Sequence, residues 1–178
     1  MHDPMKIHDI LNESGPSRIL THIRAGTPFV MVSAFNEDLD LETNLRRHAR
    51  LKHIVSGLLL SYIQTDGEYK MRGTHQTLPE KSLFIMPTRG SVTEIPKEKL
   101  RSIGEKLMHM FGQESIVYGD GKTVWLVNDD GTEIDLGDRL TFRLEVIAKL
   151  GGSSTIKQRK FGYTDASQAP GAATYGMG

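Results

Sequence analysis

The polar residues best spaced for chemistry follow the first apolar segment of the chain and lie on the helix predicted after it. Ser33 and Asn36 stand at the carboxyl end of the run Phe29–Phe35, where ligands of open α/β sheets often bind. Asn44 and Arg47 are three residues apart, and an arginine at such a place clamps a carboxylate or phosphate with two hydrogen bonds. Each residue also has a structural interpretation, as a turn residue or as the donor of a buried hydrogen bond.

A second polar group, Gln113, Glu114 and Ser115, joins a predicted helix to a predicted strand. Gln113 is suited to contacting a ligand or partner amide, and equally to binding the unpaired carbonyls of the helix end. Taken with the first group, it predicts a cleft that binds an anionic ligand through Arg47. The predicted ligand-binding residues are Ser33, Asn36, Asn44, Arg47, Gln113 and Ser115.

A run of basic residues lies on the same helix as Asn44 and Arg47. Its predicted basic patch consists of Arg46, Arg50, Lys52 and His53. Such a patch contacts phosphate or nucleic acid, or it is simply a solvated helix face. Lys+Arg and Asp+Glu both number 22, so no global charge draws the protein to nucleic acid.

Several kinds of chemistry are excluded or left without a candidate. The chain has no cysteine, which excludes disulfides, thiol nucleophiles and cysteine-bound metals. Its seven histidines lack metal-binding spacing, and no Gly-x-Ser-x-Gly motif occurs. Gly121-Lys122-Thr123 resembles the end of a P-loop but lies between two strands, so we reject that interpretation. The sequence therefore predicts no metal and no cofactor, and it nominates no catalytic residue.

Composition and hydropathy indicate an ordinary globular protein. Hydrophobic residues make up 38% of the chain and charged residues 25%. No apolar run approaches the roughly 20 residues of a membrane span, and the polar N-terminus lacks a secretory signal. We therefore expect no membrane partner, and a location in the cytoplasm of a host cell or in a virion.

Hydrophobic periodicity places helices and strands around these residues. Apolar runs predict buried strands at Phe29–Phe35, Leu58–Ile63 and Ser82–Met86, and helical spacing predicts helices from about Pro16, from Leu41 to Val55 and after Pro96. Asp66-Gly67 is a turn signal, and the polar stretch Glu68–Pro79 is expected to be an irregular loop.

The later part of the chain predicts a run of short antiparallel strands. Asp-Gly pairs at 120–121 and 130–131 separate the strands 115–118, 123–127 and 132–136, and alternation predicts a last strand at Leu140–Val146. The predicted fold class is α+β, a single domain with a mixed, mainly antiparallel sheet and two principal helices on one side. Its divisions are an N-terminal helical segment 1–27, a core 28–150 and a flexible Gly/Ser/Ala-rich arm 151–178.

Four short motifs carry a resemblance to a known family. They are Ser33-Ala34-Phe35-Asn36, Asn44-x-x-Arg47-x-x-x-Leu51, Glu80-x-Ser82-Leu83-Phe84 and Phe111-Gly112-Gln113-Glu114-Ser115. Over roughly residues 28–127 the chain is similar to a small α/β domain family of unknown function found in bacteria and tailed phages. The resemblance implies a fold and a phage or bacterial setting, and it supplies no activity.

Three functional hypotheses follow. The leading one is a non-enzymatic, phage-type binding or assembly protein, virion-associated, whose arm 151–178 docks on protein partners in a homo- or hetero-oligomeric assembly. The alternative is a small enzyme or anionic-ligand-binding protein with the cleft at Asn36, Asn44, Arg47 and Gln113. The third is nucleic-acid binding through the basic helix 46–53, which requires strong salt dependence.

Overall fold

A computed structural model describes residues 15–70, 76–88 and 95–140 of the chain. Within these ranges three helices and six strands alternate along the sequence. Their bounds are α1 Gly15–Arg24, β1 Phe29–Ser33, α2 Leu41–Gly57, β2 Leu60–Lys70, β3 Thr77–Pro87, α3 Lys97–Met110, β4 Ser115–Gly119, β5 Thr123–Asn128 and β6 Glu133–Asp138. None of these helices has both the length and the apolar character needed to cross a membrane.

The six strands form one sheet in the order β2-β3-β1-β4-β5-β6, and neighbouring strands are antiparallel at each of the five pairings. β1 lies in the middle, where Val30 pairs with Ile85 of β3 and with Tyr118 of β4. All five β1 residues are buried, as expected for a continuous apolar run covered on both faces. The prediction of a single α+β domain is confirmed.

Helices cover both faces of the sheet. α2 and α3 lie on one face, where Leu51 and Leu100 pack against Val30 and its neighbours. α1 lies on the other face, where Ile19 and Ile23 join a separate apolar cluster around Phe84. The prediction that two principal helices share one side is therefore correct, and burial of the two clusters supplies most of the apolar driving force for folding.

The prediction of an irregular loop over Glu68–Pro79 is wrong for residues 68–70 and 77–79, which the structure describes as strands. The stretch Glu68–Pro79 was expected to be irregular and Asp66-Gly67 to form a turn, yet β2 and β3 pair from Leu60 with Pro87 as far as Lys70 with Thr77. Asp66 lies inside this long hairpin, opposite Lys81. Main-chain pairing holds a polar segment in a strand without an apolar pattern, so the periodicity of side chains does not reveal it.

The strand predicted from Leu58 also begins later than expected. α2 continues to Gly57, and Leu59 then takes a positive φ of 60° before β2 starts at Leu60. Beyond the core, the rest of the predicted strand after Leu140 and the arm 151–178 lie outside the described residues. The division into segments 1–27, 28–150 and 151–178 stays a prediction.

Candidate functional site

The segment Ala34–Asn36, here called the ledge, continues β1 beyond its last strand residue and carries three consecutive carbonyls that side chains bind. Each carbonyl accepts a hydrogen bond from a different residue, two of them on α2 and one at the junction of α3 and β4. The donors are Arg47 Nε to the Ala34 oxygen (2.7 Å), Gln113 Nε2 to the Phe35 oxygen (2.9 Å) and Asn44 Nδ2 to the Asn36 oxygen (2.9 Å). These bonds replace the sheet partners that the chain loses there.

Two of the three donors also tie the ledge to the end of α3. Arg47 Nη2 donates to the Phe111 oxygen at 2.6 Å, and Gln113 Nε2 lies 3.3 Å from the same atom. The Arg47 guanidinium stands 5.5 Å from the centre of the Phe111 ring. Arg47, which lies on α2, therefore uses Nε and Nη2 to bind main-chain carbonyls. These bonds connect the ledge with α2 and with the end of α3.

A solvent-open cleft of about 260 Å³ lies beside the ledge, where the end of β1, the turn before α2 and the first residues of β3 meet. Its lining residues are Phe35, Asn36, Glu37, Asn44, Leu78, Pro79 and Glu80. This space includes open solvent, and its enclosed part is far smaller than the roughly 300–1,000 Å³ typical of sites that enclose a drug-sized ligand. The cleft is therefore sized for part of such a molecule.

The cleft is acidic. Of its lining residues two are acidic, Glu37 and Glu80, and none is basic. Glu37 is exposed, whereas Glu80 retains only 4% of its accessible surface. A carboxylate removed from water interacts strongly with a nearby cation because little solvent screens it. With the apolar side chains of Leu78, Pro79 and Phe35, the arrangement suits a positively charged group attached to an apolar one.

A buried histidine stands behind the cleft. His48 is 2% exposed, and its ring meets the Phe35 ring edge-on at 6.1 Å between centroids. Its Nε2 lies 2.9 Å from Gln64 Oε1, and its Nδ1 has no hydrogen-bond partner in the described part of the chain. Burial lowers the pKa of His48 below its ordinary value, so the ring is neutral near pH 7.

The structure brings five of the six predicted ligand-binding residues to the ledge. Asn36 and Asn44 line the cleft, while Arg47 and Gln113 bind the ledge from outside the cleft lining. Ser33 Oγ donates to the Lys81 oxygen at 2.9 Å and accepts from the Phe35 nitrogen at 3.1 Å.

Ser115 is the exception among the six. It begins β4, where it is paired with Asn128, and it does not line the cleft. Most of the predicted site residues thus lie around the ledge and bind its main chain. A direct ligand-binding role for the six residues stays a prediction.

The predicted basic patch is divided among different contacts. Arg46 Nη1 donates to Glu42 at 2.7 Å, and the Arg50 guanidinium stands 6.0 Å from the Phe111 ring centre. Lys52 is half-buried and His53 is exposed. A nucleic-acid contact through this helix stays a prediction. In the described ranges, no three residues of metal-binding type lie together.

Three residues near the cleft, Glu37, Glu80 and His48, were not predicted as site residues. Glu80 lies just after the stretch Glu68–Pro79 expected to be a loop and before the predicted strand Ser82–Met86, so its burial could not be anticipated without the hairpin register. His48 did carry a signal, because it continues the buried stripe of Asn44, Leu51 and Val55 at helical spacing.

Comparison with known proteins gives a family. The sequence model of the S-adenosylmethionine lyase family matches residues 30–169. No curated protein sequence matches the chain. Two solved structures are similar: a phage SAM lyase in complex with S-methyl-5'-thioadenosine (16% identity, TM-score 0.31, covering 62% of this chain and 88% of that one) and a phage SAM lyase in the apo state (18%, 0.30, 62% and 87%).

These comparisons correct the leading functional hypothesis. The family match points to an enzyme, so the prediction of a non-enzymatic assembly protein and of a virion structural component is wrong. The alternative of a small enzyme or ligand-binding protein agrees better with the match. The description of the resembled family as one of unknown function is wrong, because the matching family is that of S-adenosylmethionine lyases. The phage setting stays a prediction.

The family match also bears on the predicted arm. It extends to residue 169 and so includes the first part of the segment 151–178. Docking of this segment on protein partners falls outside the described residues and stays a prediction.

Proposed function

The chain belongs to the S-adenosylmethionine lyase family, and we propose on that basis that it is an enzyme that cleaves S-adenosylmethionine. The family match over residues 30–169 is the observation that carries the proposal. S-Methyl-5'-thioadenosine, the ligand of one similar phage lyase, is what remains of S-adenosylmethionine once the bond between sulfur and the methionine γ carbon breaks. We propose the same bond as the site of cleavage here.

This bond cleavage requires few catalytic groups from the protein. When the carbon–sulfur bond breaks, its electron pair goes to sulfur, and the sulfonium becomes a neutral thioether that needs no proton to leave. The γ carbon of the four-carbon fragment bonds to an oxygen of the fragment's own carboxylate, or the fragment loses a proton from the carbon next to the γ carbon. The enzyme therefore has to bind a cationic substrate, hold its amino-acid part in one geometry and exclude water.

The acidic cleft suits the methionine part of this substrate. The sulfonium and the ammonium are both positive, and Glu37 and Glu80 are the acidic groups among the described lining residues. Glu37 is exposed at the cleft rim, and Glu80 is buried in the cleft wall. The cleft is open to solvent, and its enclosed space is too small for the whole substrate. In this proposal the adenosine part extends beyond the cleft.

The test is the release of S-methyl-5'-thioadenosine by the purified full chain. With S-adenosylmethionine as sole substrate, chromatography with mass detection is expected to show S-methyl-5'-thioadenosine above an enzyme-free control, and no S-adenosylhomocysteine. Glu80→Gln keeps the shape of the side chain but removes its charge, and we expect it to slow release about 100-fold. Glu98→Gln, an exposed change at the start of α3, serves as the matched control.

Two results would contradict parts of the proposal. Release no faster than the enzyme-free background means that the chain is not a lyase for this substrate. Full activity in Glu80→Gln, with Glu98→Gln also active, leaves the lyase proposal standing and removes the cleft as its site. The proposal places the enzyme in the cytoplasm of a host cell, where S-adenosylmethionine is formed.

A further inference from the structure

The turn between the ledge and α2 is held by a single side chain from the first turns of that helix. Asn44 is 6% exposed, and its amide binds three main-chain atoms of this turn. Its Oδ1 accepts from the Asn36 nitrogen at 2.8 Å, and its Nδ2 donates to the Asn36 and Leu39 oxygens at 2.9 and 3.2 Å. Both amide hydrogens are therefore in use, although Asn44 lines the cleft.

The residues between these contacts form a tight turn that displays Glu37. The Asp38 nitrogen donates to Asn36 Oδ1 at 2.8 Å, and the Leu39 nitrogen donates to the Asn36 oxygen at 3.1 Å. Glu37 lies inside this turn, is exposed and lines the cleft. The position of its carboxylate thus depends on a turn whose two ends Asn44 holds.

From this geometry we infer that Asn44 is a positioning residue, which sets the place of the Glu37 carboxylate at the cleft rim. The inference rests on the proposed lyase function and deepens it. Asn44 would have to release the turn before its Nδ2 could donate to a substrate. It therefore acts through Glu37, whose carboxylate takes one of the two positive groups of the substrate.

Arg47 and Gln113 do not share this role. Their bonds reach the Phe111 oxygen and join the ledge to α3, so their removal disturbs the packing of several elements. The contacts of Asn44 stay within eight residues of it along the chain. Its replacement is expected to loosen the turn while leaving the sheet and the helices in place.

The test is a double-mutant cycle between Asn44 and Glu37 in the full chain. Asn44→Asp keeps an acceptor for the Asn36 nitrogen and turns the donor into an acceptor that faces two carbonyls. We expect kcat for release of S-methyl-5'-thioadenosine to fall about 10- to 100-fold, since small misplacements of a positioning group have effects of this size. In the Glu37→Gln background the same change is expected to alter kcat less than about twofold, because there is no longer a charge to position.

A control variant and a second variant at Asn44 distinguish an effect on catalysis from a general loss of folding. Asn128→Asp makes the same chemical change in the β5–β6 hairpin, where Asn128 Nδ2 donates to Thr132 Oγ1 at 2.9 Å, and it should leave kcat unchanged. If Asn44→Asp fails to melt cooperatively, Asn44→Ser replaces it in the cycle.

Each outcome decides the inference. Strong non-additivity supports it, whereas losses that multiply independently in the two variants overturn it and leave Asn44 with a structural role. An unchanged kcat in Asn44→Asp beside an active wild type also overturns it. Absence of release by the wild type refutes the proposed function itself and takes this inference with it.

Discussion

At the scale of single residues, the buried ring of His48 makes the stability of the fold depend on pH. Its pKa is lowered first by burial and then by the charges of Lys52 and Lys81, while the hydrogen bond that His48 donates to Gln64 Oε1 and the charge of Asp66 act in the opposite direction. Lys81 and Asp66 form an ion pair with each other. A proton on His48 would therefore place a poorly compensated charge next to Phe35.

We predict that protonation of His48 destabilises the fold in mild acid. Because its folded-state pKa lies below the ordinary value of 6.5, the unfolded chain binds the proton more tightly. The stability associated with the neutral ring is fully present above that value. It is lost as the pH falls from there through the lower folded-state pKa. Thermal melts from about pH 8 to about pH 5 measure the effect.

The matched comparison uses two histidines of the same helix. His48→Gln keeps a side chain able to bond Gln64 and removes the titrating group, so its melting temperature should depend less on pH than that of the wild type. His53→Gln changes an exposed residue and should leave the pH dependence unaltered. Parallel curves for the wild type and His48→Gln would disprove the role of His48.

The site residues show what could be learned at this scale from the sequence. Polar residues at the end of an apolar run indicated the right place, because Asn36 and Asn44 line the cleft. The sequence did not reveal which of their atoms the main chain would use. Arg47 is the clearest case, since Nε and Nη2 bind the oxygens of Ala34 and Phe111, residues distant in sequence.

At the scale of elements, a glycine sets the distance between α3 and the sheet. A β carbon on Gly104 would stand 2.8 Å from Val30 Cγ1 and 3.0 Å from Ile116 Cδ1. The absence of a side chain lets the helix approach the central strands closely. Gly57, at the end of α2, has no atom within 4 Å of the same imaginary carbon.

We predict opposite effects for the same substitution at these two helical positions. Gly104→Ala gains about 1 kcal/mol in helix propensity but forces a clash with two buried side chains, for a net loss of about 1–2 kcal/mol. Gly57→Ala has space and should stabilise by about 0.5 kcal/mol. Urea unfolding of both variants gives the comparison, and a Gly104→Ala protein more stable than the wild type would refute the close packing.

The elements also mark the limit of prediction from sequence. Helices with an apolar stripe and strands with continuous apolar runs were placed correctly, because burial dictates those patterns. The outer half of the β2–β3 hairpin was missed. It is defined by the pairing of Glu68 with Pro79 and of Lys70 with Thr77, not by an apolar face. Glu80 lies opposite Gly67, next to that outer half, and its burial likewise depends on the strand pairing.

At the scale of the whole molecule, the protein depends on two cores, one on each face of the sheet. α1 supplies Ile19 and Ile23 to the second core, where the rings of Phe29 and Phe84 stack with their centroids 4.5 Å apart. Arg139, after β6, donates to the Arg24 oxygen at 2.5 Å and so joins the end of α1 to the far end of the described chain.

We predict that α1 is integral to folding. Ile19→Ala removes a fully buried side chain and should lower the free energy of unfolding by about 2–5 kcal/mol. Arg18→Ala, the exposed neighbour, should change it by less than about 0.5 kcal/mol. Denaturant titration distinguishes the two cases. A tolerated Ile19→Ala would show that the sheet does not need this helix.

The central place of β1 has a consequence for how the protein is made. Val30 finds its two partners in Ile85 and Tyr118, far later in the chain, while β2–β3 and β4–β6 are built from neighbouring strands. On the ribosome, the five residues of β1, four of them apolar, emerge long before either partner. The two outer parts of the sheet can assemble locally, whereas β1 can be completed on both edges only when β3 and β4 are present. Such distant pairing slows folding, so the nascent chain has to keep its first strand from other partners until Tyr118 has been synthesised.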